Sequence, residues 1–251
     1  ELGQALPNLQ RALALDEAVY GPKHRTVAVR ANNIGRILQE QGDLEGALKY
    51  TRRAFEIAEA SYDPKHHNVA TYASNIGAIL KDQHDLEGAL RYTRRALEIA
   101  EAAHGHQHLS IAIYANNIGQ ILKEQGDLEG ALQYTLQALE IDEGAYGPKH
   151  PNVARACNNI GQIMKERGDL RGALKYLRRA LEIDETAYGP QHPKVAIRSN
   201  NIGLIRWDQG ELVEAKKFLL RAVEISRKTY GEDHPLTKTF TANLTAFEKQ
   251  I

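Results

Sequence analysis

The sequence predicts an all-α fold, an array of stacked antiparallel helix pairs with about 12 helices. The first observation behind this prediction is a four-residue mark, Asn-Asn-Ile-Gly or Ser-Asn-Ile-Gly, which recurs at a constant step of 42 residues and ends at Gly35, Gly77, Gly119, Gly161 and Gly203. The second is that each mark lies in a segment with the apolar spacing of an α-helix, followed by another such segment. Self-similarity at a fixed period of this length indicates a repeat array.

Composition narrows the class of protein. The chain is 42% hydrophobic and 25% charged, as is usual for a globular protein. Its 32 basic residues balance 32 acidic ones, whereas nucleic-acid-binding proteins usually have a basic excess, so we expect no nucleic-acid partner. The lone Cys157 cannot form an internal disulfide and fits a reducing compartment. Since there is also no membrane-length apolar run and no secretory signal, we expect a cytoplasmic protein without membrane contact.

Taken in order, the chain starts in mid-repeat. Residues 1–19 align with residues 43–61, so they should form the second helix of a truncated repeat. We therefore expect either a longer protein with an upstream domain or an end covered by another chain. Five full repeats follow at 20–61, 62–103, 104–145, 146–187 and 188–229, and residues 230–251 supply one more polar, capping helix. We treat residues 1–251 as a single domain.

The first full repeat shows how each pair is built. Its first helix is expected from about Thr26 to Gln41, with one side packed against the protein and the other exposed to solvent. Gly42 ends it by adopting the left-handed conformation, and Asp43 caps the second helix, expected from about Leu44 to Ala60. His84 takes the place of this glycine in the next repeat and should carry mild backbone strain.

Small residues mark where the two helices approach closely, as at Gly35, Ala47 and Ala54. With the break at Gly42-Asp43, they resemble the tetratricopeptide repeat. The 42-residue step, the Asn-Asn-Ile-Gly mark and the long turn at 146–151 are similar to the kinesin light chain subtype, over nearly the whole chain. This resemblance implies a right-handed superhelical solenoid whose first helices line a concave groove for peptides or partner proteins. Arg206 departs from the pattern, since other repeats bury an apolar residue there, so the fifth repeat should pack differently.

The candidate groove residues are those of the first helices that intramolecular packing does not explain. Their amides can donate to and accept from an extended backbone, and their lysines can meet acidic side chains or a carboxylate. Apolar residues in the fifth repeat could hold an anchor residue of the partner. The set comprises Asn32, Asn33, Arg36, Gln39, Ser74, Asn75, Lys81, Asn116, Asn117, Gln120, Lys123, Asn158, Asn159, Gln162, Lys165, Ile197, Asn200, Asn201, Leu204 and Trp207.

Two alternatives stay open within this set. The second asparagine of each pair, such as Asn33, could bond between helices instead of facing a ligand, since buried polar groups are normally satisfied. We expect the first, such as Asn32, to face the groove. Trp207 could pack against the C-terminal helix rather than contact a ligand.

Other recurring residues have structural interpretations. Histidines at each turn, such as His24 and His66, should act at helix starts, and we expect no metal and no cofactor. Pairs such as Arg52-Arg53 could form a basic stripe for an acidic partner. We favour a solvated outer face in which neighbours such as Glu45 and Glu56 neutralise them.

The leading functional hypothesis is a non-catalytic protein–protein interaction scaffold that binds an extended segment, acidic ones included, in its groove. Catalysis needs unlike groups converging at one place, whereas here unlike groups recur at a regular step, so enzymatic activity is not expected. The alternative is a ligand-sensing or regulatory C-terminal arm of a larger bacterial signalling protein, such as a signalling ATPase.

Overall fold

The protein is described by a computed structural model that covers the backbone of residues 2–250 and the side chains of residues 6–250. The two terminal residues of the expected domain, Glu1 and Ile251, lie outside it. Residues 2–250 form α-helices and short turns, without strands, which confirms the predicted all-α fold. The helices are α1 Leu2–Tyr20, α2 Arg25–Glu40, α3 Leu44–Ser61, α4 His67–Asp82, α5 Leu86–His104, α6 Leu109–Glu124, α7 Leu128–Tyr146, α8 Pro151–Glu166, α9 Leu170–Tyr188, α10 Pro193–Asp208, α11 Leu212–Tyr230 and α12 Pro235–Glu248.

The helices belong to two compact units, Glu1–Asp127 and Leu128–Ile251. In the first unit, α2 packs on α3 and α4 on α5, and α1 and α6 pack against the outer members of these pairs. In the second, α8 packs on α9 and α10 on α11, and α7 and α12 take the flanking places. Even-numbered helices are the first helices of the sequence repeats and odd-numbered helices the second ones.

Histidine side chains start the first helices. The ring of His24 accepts a hydrogen bond from the Thr26 backbone N–H at 3.2 Å, satisfying a donor that the first turn of a helix leaves free. His66, His108, His150, His192 and His234 do the same in their repeats. Each ring also stacks on the aromatic ring four residues earlier, as His150 does on Tyr146. The expected structural role of these histidines at helix starts is confirmed.

The break between paired helices has the expected geometry. Gly42 has a φ of +83°, and the Asp43 carboxylate accepts from the Gly46 backbone N–H at 2.9 Å. His84 adopts the same left-handed conformation with a φ of +63°, as the sequence predicts. This conformation is uncommon for a residue with a Cβ, and the position accordingly carries the strain expected of it.

Glycine sets the distance between paired helices. A Cβ on Gly161 of α8 would lie 2.6 Å from Leu177 Cγ and 3.2 Å from the Ala173 carbonyl oxygen of α9. A Cβ on Gly35 would lie 3.0 Å from the Ala47 carbonyl oxygen. These distances leave no room for a side chain, which confirms the predicted close approach.

The fifth repeat differs near its break. The Arg206 side chain is 13% exposed and pairs with Glu211 at 2.6 Å. Glu211 stands at the N-cap of α11, where no side-chain capping hydrogen bond forms. Between residues 2 and 250, no helix is both long enough and apolar enough to cross a membrane.

Candidate functional site

The first asparagine of each pair is buried. Asn32, Ser74, Asn116, Asn158 and Asn200 are only 1% to 7% exposed. The expectation that these residues face a groove is therefore wrong. For Asn32, Ser74, Asn158 and Asn200, the partner comes from the first helix of the following repeat or from α12.

Four asparagines at the second position of the mark, or at its equivalent in α12, donate to the residue at the first position of the preceding repeat. Asn75 Nδ2 donates to Asn32 Oδ1 at 2.8 Å, and Asn201 Nδ2 donates to Asn158 Oδ1 at 2.9 Å. Asn117 reaches Ser74 at 3.4 Å in the same way, and Asn243 of α12 reaches Asn200 at 2.9 Å. We call these bonds the asparagine ladder. The inter-helix alternative is confirmed for Asn75, Asn117 and Asn201, and it stays a prediction for Asn33. The asparagines that donate in the ladder remain half-buried, so part of each residue stays accessible.

Several of the predicted charged or long polar residues meet an acid of the next repeat. Lys81 pairs with Glu124 at 3.3 Å, and Lys165 pairs with Asp208 at 3.0 Å. Gln39 donates to the carboxylate of Asp82 at 2.7 Å. Because these pairs are partly exposed, each stabilises the fold by at most about 1 kcal/mol. They nevertheless neutralise the lysines, so an acidic ligand would have to displace an existing carboxylate.

In three repeats, the side chain one position after the repeated glycine makes no hydrogen bond or ion pair with the described residues. These side chains are Arg36, which is exposed, and Gln120 and Gln162, which are half-buried. Ala78 and Leu204 occupy the same position in the other repeats. We call Arg36, Gln120 and Gln162 the free row. It lies on the first helices beside the accessible amides of the asparagine ladder.

The apolar part of the predicted set packs partly against the core. Ile197, Leu204 and Trp207 are half-buried against the core of the second unit. The Trp207 ring meets Phe247 of α12 edge-on, with ring centroids 5.5 Å apart. The alternative in which Trp207 packs against the C-terminal helix is thus confirmed.

A cavity of about 100 Å³ lies between α8 and α10. It brings together four predicted residues, Gln162, Lys165, Asn201 and Leu204. It also includes Glu166, Leu177 and Ile205, which sequence reasoning did not select. The sequence did contain a sign of this apolar site at Leu177, because the corresponding position is threonine in the first three full repeats and leucine in the last two.

On the second helices, arginines tie neighbouring repeats together. Arg179 pairs with Glu143 of the preceding second helix and donates to the Pro148 carbonyl oxygen at 3.2 Å. Arg53 makes the equivalent contacts with Glu17 and Pro22. The carboxylates that neutralise Arg53 and Arg179 therefore come from the preceding repeat. Arg53 pairs with Glu17, and not with Glu45 or Glu56 as the sequence predicted. These arginines are structural as well as solvated.

Metal-ligating side chains and the Cys157 thiol are the other groups that could support chemistry. Among the described residues, no group of three or more His, Cys, Asp or Glu side chains is placed to hold a metal ion. Burial raises the pKa of the Cys157 thiol to about 11, so the thiol is protonated at neutral pH. A protonated, buried thiol is a weak nucleophile.

Comparison with known proteins found matches to family models and to solved structures. One model described as tetratricopeptide repeat matches residues 1–60, 28–102, 68–144, 110–186 and 158–211, and a second with the same description matches residues 195–236. A search of curated proteins found no match.

Among solved structures, BtubC (BKLC) from P. vanneervenii is similar with a TM-score of 0.76 and 21% identity, over 94% of each chain. A Podosopora anserina protein described as a putative kinesin light chain with nearly identical TPR-like repeats gives a TM-score of 0.69 at 14% identity, over 82% of this chain and 98% of that one. A single-substitution variant of that protein gives 0.71 at 14% identity, over 82% and 97%. At these identities the likeness shows a shared fold.

Proposed function

The chain belongs to the tetratricopeptide repeat family, with repeats of the kinesin light chain type, and on this premise we propose that it binds an extended peptide or protein segment along its first helices without catalysis. Tetratricopeptide repeats are protein–protein interaction scaffolds, which gives the general function. The finer proposal concerns the face that carries the free row and the accessible amides of the asparagine ladder, in each of the two units.

The observation that carries this proposal is the free row itself. Arg36, Gln120 and Gln162 have no partner among the described residues, although each is flanked by side chains that are bonded to a neighbouring repeat. Amide and guanidinium groups that the fold does not use can donate to the carbonyl oxygens of an extended chain. Their recurrence at one position of three repeats suits a linear ligand better than a compact one.

The asparagine ladder supports the same face indirectly. Its hydrogen bonds fix the rotation of the second asparagines, so the remaining amide atoms of Asn75 and Asn201 are held in a set orientation. Groups that are already ordered lose little conformational entropy on binding, which raises affinity for a given number of contacts.

The test starts from a selection of random peptides on the full chain, with the affinity of the strongest binder measured by calorimetry. The variant Arg36→Ala/Gln120→Ala/Gln162→Ala removes the free row without touching the ladder. We expect a loss of affinity on the order of tenfold or more, about 1.4 kcal/mol, with an unchanged helical circular dichroism signal.

The matched control changes the outer face instead. Lys49, Arg91 and Lys175 are exposed at equivalent positions of the second helices, and Lys49→Ala/Arg91→Ala/Lys175→Ala should leave the affinity unchanged. If this control weakens binding while the free-row variant does not, the ligand lies on the second helices and the proposal is wrong.

A further inference from the structure

We infer that the cavity between α8 and α10 takes a branched aliphatic side chain of the bound segment, of the size of valine, leucine or isoleucine. This inference rests on the proposed function, because the cavity opens beside the free row on the first helices of the second unit. It adds the chemical character of one ligand position.

The apolar side of the cavity is made by three residues. Leu177 of α9 and Ile205 of α10 are at most 1% exposed, and Leu204 of α10 is half-buried beside them. A polar or charged ligand group placed against these side chains would lose its water without gaining a partner. An aliphatic group would be stabilised there, because its apolar surface is removed from water.

The volume of the cavity limits the size of its occupant. At about 100 Å³ it has room for more than a water molecule. It is smaller than the dry apolar cavities of about 150 Å³ that hold a benzene molecule in other proteins. The space thus matches a short branched chain better than the ring of tyrosine or tryptophan.

The rim of the cavity carries amide groups that can form hydrogen bonds with the backbone of the same ligand. Gln162 has a side-chain amide that no described residue engages, and the Asn201 amide keeps its carbonyl oxygen after donating to Asn158. Lys165, also on the rim, is paired with Asp208 at 3.0 Å. The rim therefore offers amide groups for a backbone, and its lysine is already neutralised.

Comparison between repeats explains why the cavity is apolar at this place. In the first unit, the positions of Leu177 and Leu204 are occupied by Thr93 and Gln120 beside α4 and α6. The Thr93 hydroxyl donates to the Ala89 carbonyl oxygen at 2.8 Å, which puts a polar group on the floor. The two leucines together make this floor and wall apolar, so we expect the aliphatic residue of the ligand to lie against the second unit.

The first experiment uses the selected peptides. We expect them to share one aliphatic position, and Leu204→Gln, which introduces the residue of the third and fourth full repeats, to weaken binding by tenfold or more. Replacing the shared aliphatic residue with alanine should cause a similar loss in the native protein and little further loss in Leu204→Gln, as a double-mutant cycle requires for contacting groups.

A matched pair of core variants checks the floor. Leu177→Thr introduces the threonine of the first three full repeats and should weaken peptide binding. Leu219→Thr makes the same change in the next repeat, at a residue that does not line the cavity. It should leave peptide binding unchanged. Equal effects of these two variants on affinity would overturn the assignment of Leu177 to the ligand site.

The second experiment tests the cavity without any peptide. N-acetyl-leucine methylamide, added to the full chain, should shift the methyl NMR signals of Leu177, Leu204 and Ile205 in a saturable way, and N-acetyl-glutamine methylamide should not. Leu204→Gln should abolish the shifts.

The two proposals fail separately. If peptides bind through the free row but share no aliphatic residue, and the leucine probe shifts no cavity methyl, the aliphatic site is wrong while the proposed function stands. If the leucine probe fills the cavity but the free-row variant binds peptides normally, the cavity is real and the binding face was misplaced.

Discussion

At the scale of single residues, a buried ion pair joins neighbouring repeats where the sequence supplies both partners. Asp184 of α9 and Arg198 of α10 are 0% and 8% exposed and lie 2.9 Å apart. Asp16 and Arg30 occupy the same positions at the start of the chain, also at 2.9 Å. In the second and third full repeats the arginine position holds Tyr72 and Tyr114, and the acid before it is replaced by alanine.

Asp142 occupies the aspartate position of this pair, but no arginine occupies the partner position. It is 2% exposed, but the residue at the arginine position is Ala156, and the nearest guanidinium, that of Arg155, lies 3.8 Å away. Its Oδ2 atom has no hydrogen-bond partner. Burial raises the pKa of Asp142 above its ordinary 3.8, and the nearby Arg155 and His150 only partly oppose this. A buried carboxylate without a full partner destabilises the fold.

We therefore predict opposite results for two aspartate substitutions. Asp142→Ala should leave the free energy of unfolding unchanged or raise it, because alanine stands at this position in the first and second full repeats. Asp184→Ala should lower it by about 3 kcal/mol, because it leaves the buried Arg198 without its carboxylate. Urea denaturation followed by circular dichroism measures both. An equal loss for the two variants would contradict this account of Asp142.

The same residue predicts a pH dependence. Since the pKa of Asp142 is higher in the folded chain than its ordinary 3.8, the folded state holds this proton more tightly than the unfolded state. The stability of the native protein relative to Asp142→Ala should then fall as the pH rises through the window above 3.8 and become constant once the carboxyl is ionised in both states. Parallel stability curves of the two proteins between pH 4 and 7.5 would exclude this titration.

At the scale of elements, the helix pair depends on one glycine contact. Gly161 of α8 faces Leu177 and the Ala173 carbonyl oxygen of α9 at distances that no side chain tolerates. Glycine normally weakens a helix because its unfolded backbone has more freedom. Here the close approach that it permits outweighs that cost.

Two glycine-to-alanine substitutions separate these effects. Gly161→Ala should destabilise the chain by about 1–3 kcal/mol, because the new methyl group pushes α8 and α9 apart. Gly144→Ala, in α7 with no atom within 4 Å of its added Cβ, should stabilise it by about 0.5–1 kcal/mol. Thermal or urea unfolding of both variants provides the comparison, and a stabilised Gly161→Ala would disprove the proposed contact.

At the scale of the whole molecule, each helix packs mainly against its neighbours in sequence. Within each unit, the pairs in contact are consecutive helices and, more weakly, those one further along. Stability in such an array is close to a sum of local terms and interfaces between neighbours, so a local defect need not unfold the chain as a whole.

Phe247 provides a test of this locality. It is fully buried in α12 and packs edge-on against Trp207. Phe247→Ala should cost about 3–5 kcal/mol through the cavity it leaves. Hydrogen exchange should then become faster in α10–α12 and stay unchanged in α2–α5. Val213→Ala, at a side chain that is 84% exposed, serves as the control and should change neither region. Faster exchange throughout the chain would show a single cooperative unit instead.

The sequence by itself determined the elements that depend on local chemistry. The helices, the left-handed residue at Gly42 and His84, the histidine caps and the contact glycines are confirmed by the structure. These features follow from backbone preferences within a few residues, or from a packing contact that recurs at Gly35, Gly77, Gly161 and Gly203, so a single helical projection suffices to predict them.

Tertiary structure alone decided which polar residues are bonded to other residues of the chain. Asn32 projects to the solvent side of its helix, yet it is buried because Asn75, 43 residues later, lies over it and donates to it. The sequence predicted that Lys165 binds an acidic ligand, yet Lys165 forms an ion pair with Asp208 of the next repeat. The cavity floored by Leu177 likewise arises between helices of different repeats. A helical projection shows the direction of a side chain, but its burial, its partner and the space beside it depend on the packing distance of a helix elsewhere in the chain.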